Sequence, residues 1–257
     1  MSTQVKILGC YGGIGGAMRT TSLLVDDDVL IDAGTGVNDL SLEALLKIDH
    51  IFVTHSHLDH IASIPLLLDT VMGLRTKSVT VHANAQVITI LKEHIFNWLI
   101  WPNFNMIPDA KNPFLLYNEL SDGESVTIHH KTITALPANH VVPAVGYQIS
   151  NGSGSLVFTG DTAGGQDFWN AVNKIVNLKY LIIETAFSNA EADLAALSKH
   201  LCPNSLAVEL AHLISKPDIF ITHLKPGEDM TIIEEIAANP KTQHCKALRQ
   251  QQLIDLL

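Results

Sequence analysis

Apolar positions in this chain fall in short runs bounded by Gly, Asp, Asn or His, the pattern of buried strands rather than long helices. Val5–Leu8 is the first run. Ser22–Val25 and Val29–Ile31 flank Asp26-Asp27-Asp28 and read as a hairpin with a solvated acidic turn. Further strands are predicted at His50–Thr54, Ser78–His82, Ser125–His129, Thr132–Leu136, Val145–Ile149, Leu156–Thr159, Tyr180–Ile183 and Asp218–Thr222. Between them, apolar residues at helical spacing predict helices at Leu40–Leu46, Ser63–Val71, Gln86–Leu99, Phe168–Ile175, Ala190–Leu197, Ser205–Ile214 and Thr231–Ala238. Pro65 sits in the first turn of its helix, where a missing N–H costs little. Two packed sheets with helices outside account for this order.

Composition narrows the class. The chain has 257 residues, 47% of them hydrophobic, which is enough for a large core and argues against disorder. No repeat or Pro/Gly/Ser linker divides it, so residues 1–257 are read as a single domain. The net charge of −10 argues against a diffuse basic surface for nucleic acid, although bound metal ions would still allow a phosphorylated substrate. No apolar run reaches the ~18 residues of a membrane span. The segment Met1–Lys6 has no leader pattern, and Cys10, Cys202 and Cys245 form neither a disulfide framework nor a metal knuckle. They read as buried or idle thiols, and a cytoplasmic location is expected.

Thirteen histidines are many for this length, and their placement carries the chemistry. The runs ending at Thr54, Leu136, Thr159, Ile183 and Thr222 are followed by His55-Ser56-His57-Leu58-Asp59-His60, by His140, by Asp161, by Glu184 and by His223. Strands sharing a sheet rim would bring these groups together. In a tight loop His55 and His57 reach one point, and Asp59 and His60 another. One strand-end histidine alone would be an ordinary surface or capping residue. The set is not: His55, His57, Asp59, His60, His140, Asp161 and His223 suit two metals sharing one carboxylate, with room for a bridging water. Histidine and carboxylate ligands favour zinc, with manganese or iron also compatible. Asp32, at the end of a strand, is the preferred residue to orient a ligand, with Thr54 and Thr222 as further candidates.

The remaining histidines divide. His50, His129, His130, His212 and His244 are expected at the surface. His82 ends a strand on the side of the cluster. His94 lies in an aromatic-rich segment ending at Pro102, which packs in the core or forms a pocket wall. The loop Gly9–Gly16 lacks the strand–turn–helix context of a dinucleotide fingerprint and is expected to be a flexible loop near the metal rim.

The HxHxDH string followed in order by His140, Asp161 and His223, with Asp32-Ala33-Gly34-Thr35-Gly36 before it, resembles the metallo-β-lactamase superfamily. The resemblance spans nearly the whole chain. It implies an α+β fold, a four-layer αββα sandwich of two mixed sheets covered by helices. It implies His55, His57 and His140 on one metal, Asp59, His60 and His223 on the other, and Asp161 bridging. Within the superfamily, Thr54–Leu67, His94-Ile95-Phe96-Asn97, Ile100-Trp101-Pro102, Val145-Gly146-Tyr147, Glu184-Thr185-Ala186-Phe187, Ser198–Pro203 and Thr222–Pro226 are similar to the class II 3′,5′-cyclic-nucleotide phosphodiesterases. Lys199 stands where that pattern has Gly, and Ala186 where it has Ser.

The expected reaction is hydrolysis of the 3′ ester of cyclic AMP or cyclic GMP by a metal-bridging hydroxide. Asp59, Glu184 and His200 are the expected catalytic residues, with Glu184 raising the pKa of His200 so that it protonates the leaving oxygen. His94, Asn97 and Trp101 are expected to touch the substrate. The expected partner is a small phosphodiester, with no nucleic-acid polymer and no membrane, and the family implies a homodimer. The rivals are a lactone or thioester hydrolase, an RNA-processing phosphodiesterase, and a non-catalytic metal-binding module.

Overall fold

The computed structural model describes residues 2–257, so Met1 of the N-terminal segment lies outside the described residues. Among the described residues, fourteen strands form two seven-stranded mixed sheets. The first contains β1 (Thr3–Gly9), β2 (Ser22–Val25), β3 (Val29–Ile31), β4 (His50–Phe52), β5 (Val79–Ala83), β6 (Leu115–Glu119) and β14 (Leu253–Leu256), in the order β14-β1-β2-β3-β4-β5-β6. The second contains β7 (Ser125–Ile128), β8 (Lys131–Pro137), β9 (Val145–Ser150), β10 (Ser155–Phe158), β11 (Leu178–Glu184), β12 (Asp218–Thr222) and β13 (Lys246–Ala247), in the order β13-β12-β11-β10-β9-β8-β7. β2 and β3 pair antiparallel as the predicted hairpin, whereas β3, β4, β5 and β6 run parallel.

Alternation along the strands builds three hydrophobic layers. Ile7, Leu23, Ile31 and Phe52 face the second sheet and meet Ile133, Tyr147, Phe158 and Ile182. Their neighbours Leu8, Leu24, Leu30 and Ile51 face outward, under α3 (Ser63–Val71) and α4 (Ala85–Ile90). Leu181, Ile183, Ile219 and Ile221 point the other way, under α5 (Gln166–Val172), α7 (Pro203–Glu209) and α8 (Asp229–Ala238). This is an αββα sandwich, as expected. Strands buried on both faces must be apolar throughout, and that is why they appear as continuous runs.

The main departure concerns Gln86–Leu99, expected as one helix. The α-helix stops at Ile90, and a π-turn over Leu91–Ile95 follows, with Phe96 N–H donating to the Leu91 carbonyl. Phe96 turns into the outer core, and the Asn97 side chain accepts from Leu99 and Ile100 N–H, competing with helical hydrogen bonds. β6, β13 and β14 have no counterpart in the predicted elements. They are short edge or end strands whose exposed positions interrupt the apolar run.

Candidate metal centre

The site forms where strands end. β4 leads into His55 and His57, and the short helix α2 (Leu58–Ile61) carries Asp59 and His60 on its first turn. β8, β10 and β12 lead into His140, Asp161 and His223. Gly160 makes the turn before Asp161 with φ +60°, and a Cβ there would press on Thr54 and the Val145 carbonyl at 3.1 Å. The glycine-rich N-terminal loop also belongs here. Gly12 N–H donates to the Leu224 carbonyl, and a Cβ on Gly12 would lie 2.7 Å from the His223 ring.

The structure brings the seven predicted ligands together in two groups. His55, His57, His140 and Asp161 offer ligand atoms within 4.8 Å of one another, as do Asp59, His60, Asp161 and His223. Asp161 is common to both. Its Oδ2 lies 3.5 Å from His55 Nε2 and 3.4 Å from His60 Nε2, and its Oδ1 lies 3.2 Å from His223 Nδ1. Asp59 Oδ2 lies 3.8 Å from His60 Nε2 and 3.7 Å from His223 Nε2. His55 Nε2, His60 Nε2 and His223 Nδ1 are buried with no hydrogen-bond partner. Buried ring nitrogens left unpaired around a carboxylate are costly unless something binds them. A divalent cation fits that donor set.

The surrounding hydrogen bonds hold these rings. Asp32 is fully buried; its Oδ2 lies 2.7 Å from His60 Nδ1, and it accepts from Thr54 N–H at 2.7 Å and Thr54 Oγ1 at 2.8 Å. Thr54 Oγ1 also reaches His55 Nδ1 at 3.0 Å. Thr222 Oγ1 turns away, donating to the Cys10 carbonyl. His140 Nδ1 donates to the Lys199 carbonyl at 3.1 Å, which leaves Nε2 toward His57 Nδ1 at 3.3 Å. Asp32, Lys199 and His223 all take left-handed backbone conformations, at φ 57°, 54° and 65°. Strain of this kind persists where surrounding contacts over-determine it.

Burial lowers the pKa of His55 far below the usual histidine value, of His140 to about 4 and of His223 to about 3, which favours the neutral, ligating form. His60 goes the other way. Burial opposes its charge, but Asp161 and Asp32 outweigh burial and raise its pKa well above the usual histidine value.

Glu184 and His200 lie beside the cluster. Glu184 is fully buried at the end of β11, and its Oε1 lies 2.8 Å from His200 Nδ1. Thr162 N–H and Leu201 N–H also donate to the carboxylate. The His200 ring stacks on His223 at 5.2 Å and meets His140 edge-on at 4.9 Å. Burial disfavours the imidazolium, but the hydrogen bond and charge of Glu184 prevail, and the His200 pKa is raised.

His94, Asn97 and Trp101 are not drawn into this constellation. His94 is exposed, Asn97 spends its side chain on local backbone groups, and Trp101 packs on the outer core of the first sheet. The cavity bordering His140, about 730 Å³, is lined instead by Asn84, Gln86, Glu119, Asp122 and Asn139. Sequence reasoning missed these polar residues, which lie at the start of α4, at the end of β6 and in loops, and carry no motif. His50, expected at the surface, is half-buried, with Nδ1 3.0 Å from His82 Nε2. The parallel register of β4 and β5 sets Phe52 opposite His82, whose ring stacks on Phe52 between the sheets rather than joining the metal ligands.

An αββα sandwich with a histidine–aspartate cluster at its strand ends defines a hydrolase of the metallo-β-lactamase type. The chain belongs to the beta-lactamase superfamily, whose domain matches residues 27–240. A probable 3′,5′-cyclic-nucleotide phosphodiesterase of Yersinia pestis is 27% identical, over 87% of this chain and 78% of its own length. A ribonuclease Z of Haloarcula marismortui is 30% identical over 57% of this chain, which spans about half of that protein (47%). The fold is shared with unliganded yeast PDE1, at a TM-score of 0.82, 18% identity and 99% coverage of both chains.

Proposed function

We propose that the protein is a di-metal phosphodiesterase that hydrolyses 3′,5′-cyclic nucleotides at the 3′ ester. The observation that carries this reading is the buried Glu184–His200 pair at 2.8 Å, packed against the rings of His223 and His140. A proton donor beside a cationic centre suits departure of an alkoxide from phosphorus. His55, His57 and His140 would hold one divalent ion, Asp59, His60 and His223 the other, and Asp161 would face both. Zinc is the best match to these ligands, and manganese or iron would also satisfy them. Bound there, the ions would supply a nucleophilic water at neutral pH and offset negative charge on the phosphoryl oxygens.

The chain's own residues do the rest. Asp32 fixes the His60 ring through Nδ1, and Thr54 supports both Asp32 and His55. Glu184 is anchored by two backbone N–H groups and holds His200 through Nδ1, so Nε2 carries the proton to be transferred. As the oxygen of water bonds to phosphorus and gives up one proton to solvent, the P–O3′ bond breaks and the His200 proton passes to O3′. The product is a nucleoside 5′-monophosphate.

Two further facts support a small substrate over RNA. The similarity to the cyclic-nucleotide relative runs over 87% of this chain, against 57% for the ribonuclease Z. A net charge of −10 also disfavours a long polyanion. The test is parallel turnover of cyclic AMP, cyclic GMP, bis(p-nitrophenyl) phosphate and precursor tRNA by metal-loaded protein. Cyclic-nucleotide turnover well above that of the generic diester is expected. Cleavage of precursor tRNA with no cyclic-nucleotide turnover overturns the proposal.

A further inference from the structure

Lys199 ends helix α6 (Ala192–Ser198) in a left-handed conformation, φ 54° and ψ 49°. Glycine enters this region freely, and a residue with a Cβ pays for it in strain. The cyclic-nucleotide phosphodiesterase pattern that the chain resembles has glycine at this position. The lysine found there is half-buried and makes two hydrogen bonds to one residue. Its carbonyl accepts from His140 Nδ1 at 3.1 Å, and its Nζ donates to the His140 carbonyl at 3.1 Å. Glycine would keep the first bond and lose the second.

These two bonds close a ring between segments 59 residues apart in sequence. One segment carries His140, whose Nε2 faces His57. The other carries His200, the next residue after Lys199, which is tied to Glu184. A ligating histidine needs a fixed acceptor for its other N–H. Here the acceptor is a backbone carbonyl, and the lysine amine is the second tie that keeps it in register. We infer that Lys199 is a positioning residue: its amine locks the His140 loop to the His200 segment, so that a single tautomer and orientation of His140 is presented to the ion. The strained backbone persists because glycine cannot supply the amine. The inference rests on the metal-centre reading above.

The experiment compares Lys199→Met, Lys199→Gly and Lys199→Arg with wild type. It measures zinc affinity by competition with a chromophoric chelator, melting temperature of the metal-free protein, and kcat and KM. Met and Gly both lose the amine, and only Gly relieves the strain, so metal-free Lys199→Gly should melt about 2–4 °C above Lys199→Met. Despite that difference, both should bind zinc about tenfold more weakly, with lower kcat and nearly unchanged KM, and Lys199→Arg should recover most of the loss. Zinc affinity and kcat equal to wild type in both Met and Gly variants would reduce Lys199 to a helix end and overturn the inference. Wild-type protein that takes up no ion would overturn the metal-centre reading itself, an outcome visible before any variant is examined.

Discussion

The two ends of the sandwich both gather ionisable side chains, and they treat them differently. β8 runs from Lys131 to Pro137, and His140 follows it, so Lys131 and the metal-ligand cluster sit about 20 Å apart along the strand direction. At the Lys131 end every carboxylate of the group has a cation. The buried Lys131 ammonium bonds Asp26 at 2.9 Å and Asp28 at 2.6 Å, Lys47 meets Asp27 at 3.1 Å, and Arg75 and Lys77 both bind Asp49. The acidic turn expected to be merely solvated is therefore the anchor of a buried lysine. At the other end the carboxylates face histidines, and three ring nitrogens remain unpaired. The lesson is that buried charge alone does not mark a site. Donors and acceptors that protein groups leave unmatched do.

Substitutions at both ends sharpen that contrast, and the largest effect is expected at Asp161. Asp161→Ala removes the one carboxylate common to both ligand groups. Turnover should fall by about a thousandfold or more, in keeping with the charge stabilisation such a centre supplies, and metal content should drop with it. Retention of both by the variant would break the contrast outright.

His200→Gln comes next. It should lower kcat by about 10²–10⁴-fold while metal content stays at the wild-type level. In the wild type the protonated ring is the working form, so kcat should fall as pH rises through the raised His200 pKa, and the variant should lack that limb. The same shift has a stability consequence. The contribution of His200 is fully present below the unfolded value of 6.5 and is lost as pH rises through the folded one. Equal pH–rate profiles for wild type and variant would make the pair structural.

Asp32→Asn tests the layer behind the ligands. Asparagine keeps the shape but replaces the charged acceptor of His60, and ion affinity should weaken about 10–100-fold. Unchanged affinity in a chelator titration would remove Asp32 from the account. The smallest functional effect is predicted at the opposite end. Lys131→Met leaves Asp26 and Asp28 without their buried cation and should cost about 1–3 kcal/mol in denaturant unfolding, with metal content and kcat unchanged. A loss of turnover at constant metal content would show that the two ends are coupled.

Much of the molecule is legible in the sequence, for physical reasons that also mark where legibility stops. Strands buried on both faces are continuous apolar runs, so β4, β10, β11 and β12 and the ligand types that follow them can be read directly. Asp32 is visible as a strand-end carboxylate. Gln86–Leu99 misleads because the α-helix gives way to a π-turn after Ile90, and Phe96 and Asn97 end that turn although the apolar spacing would continue. His50 and His82 look like surface or rim residues until the register of β4 against β5 sets Phe52 beside His82. Lys199 is visible in the sequence only as a departure from glycine, because its role depends on a backbone angle and on a partner 59 residues away.

The central claim is that the unpaired nitrogens exist to hold ions, and metal content tests it most directly. Protein purified without chelators and then equilibrated with zinc or manganese should carry two divalent ions per chain, one for each ligand group. Asp161→Ala should carry one or none. Wild-type protein holding no more metal than its Asp161→Ala variant would contradict the account.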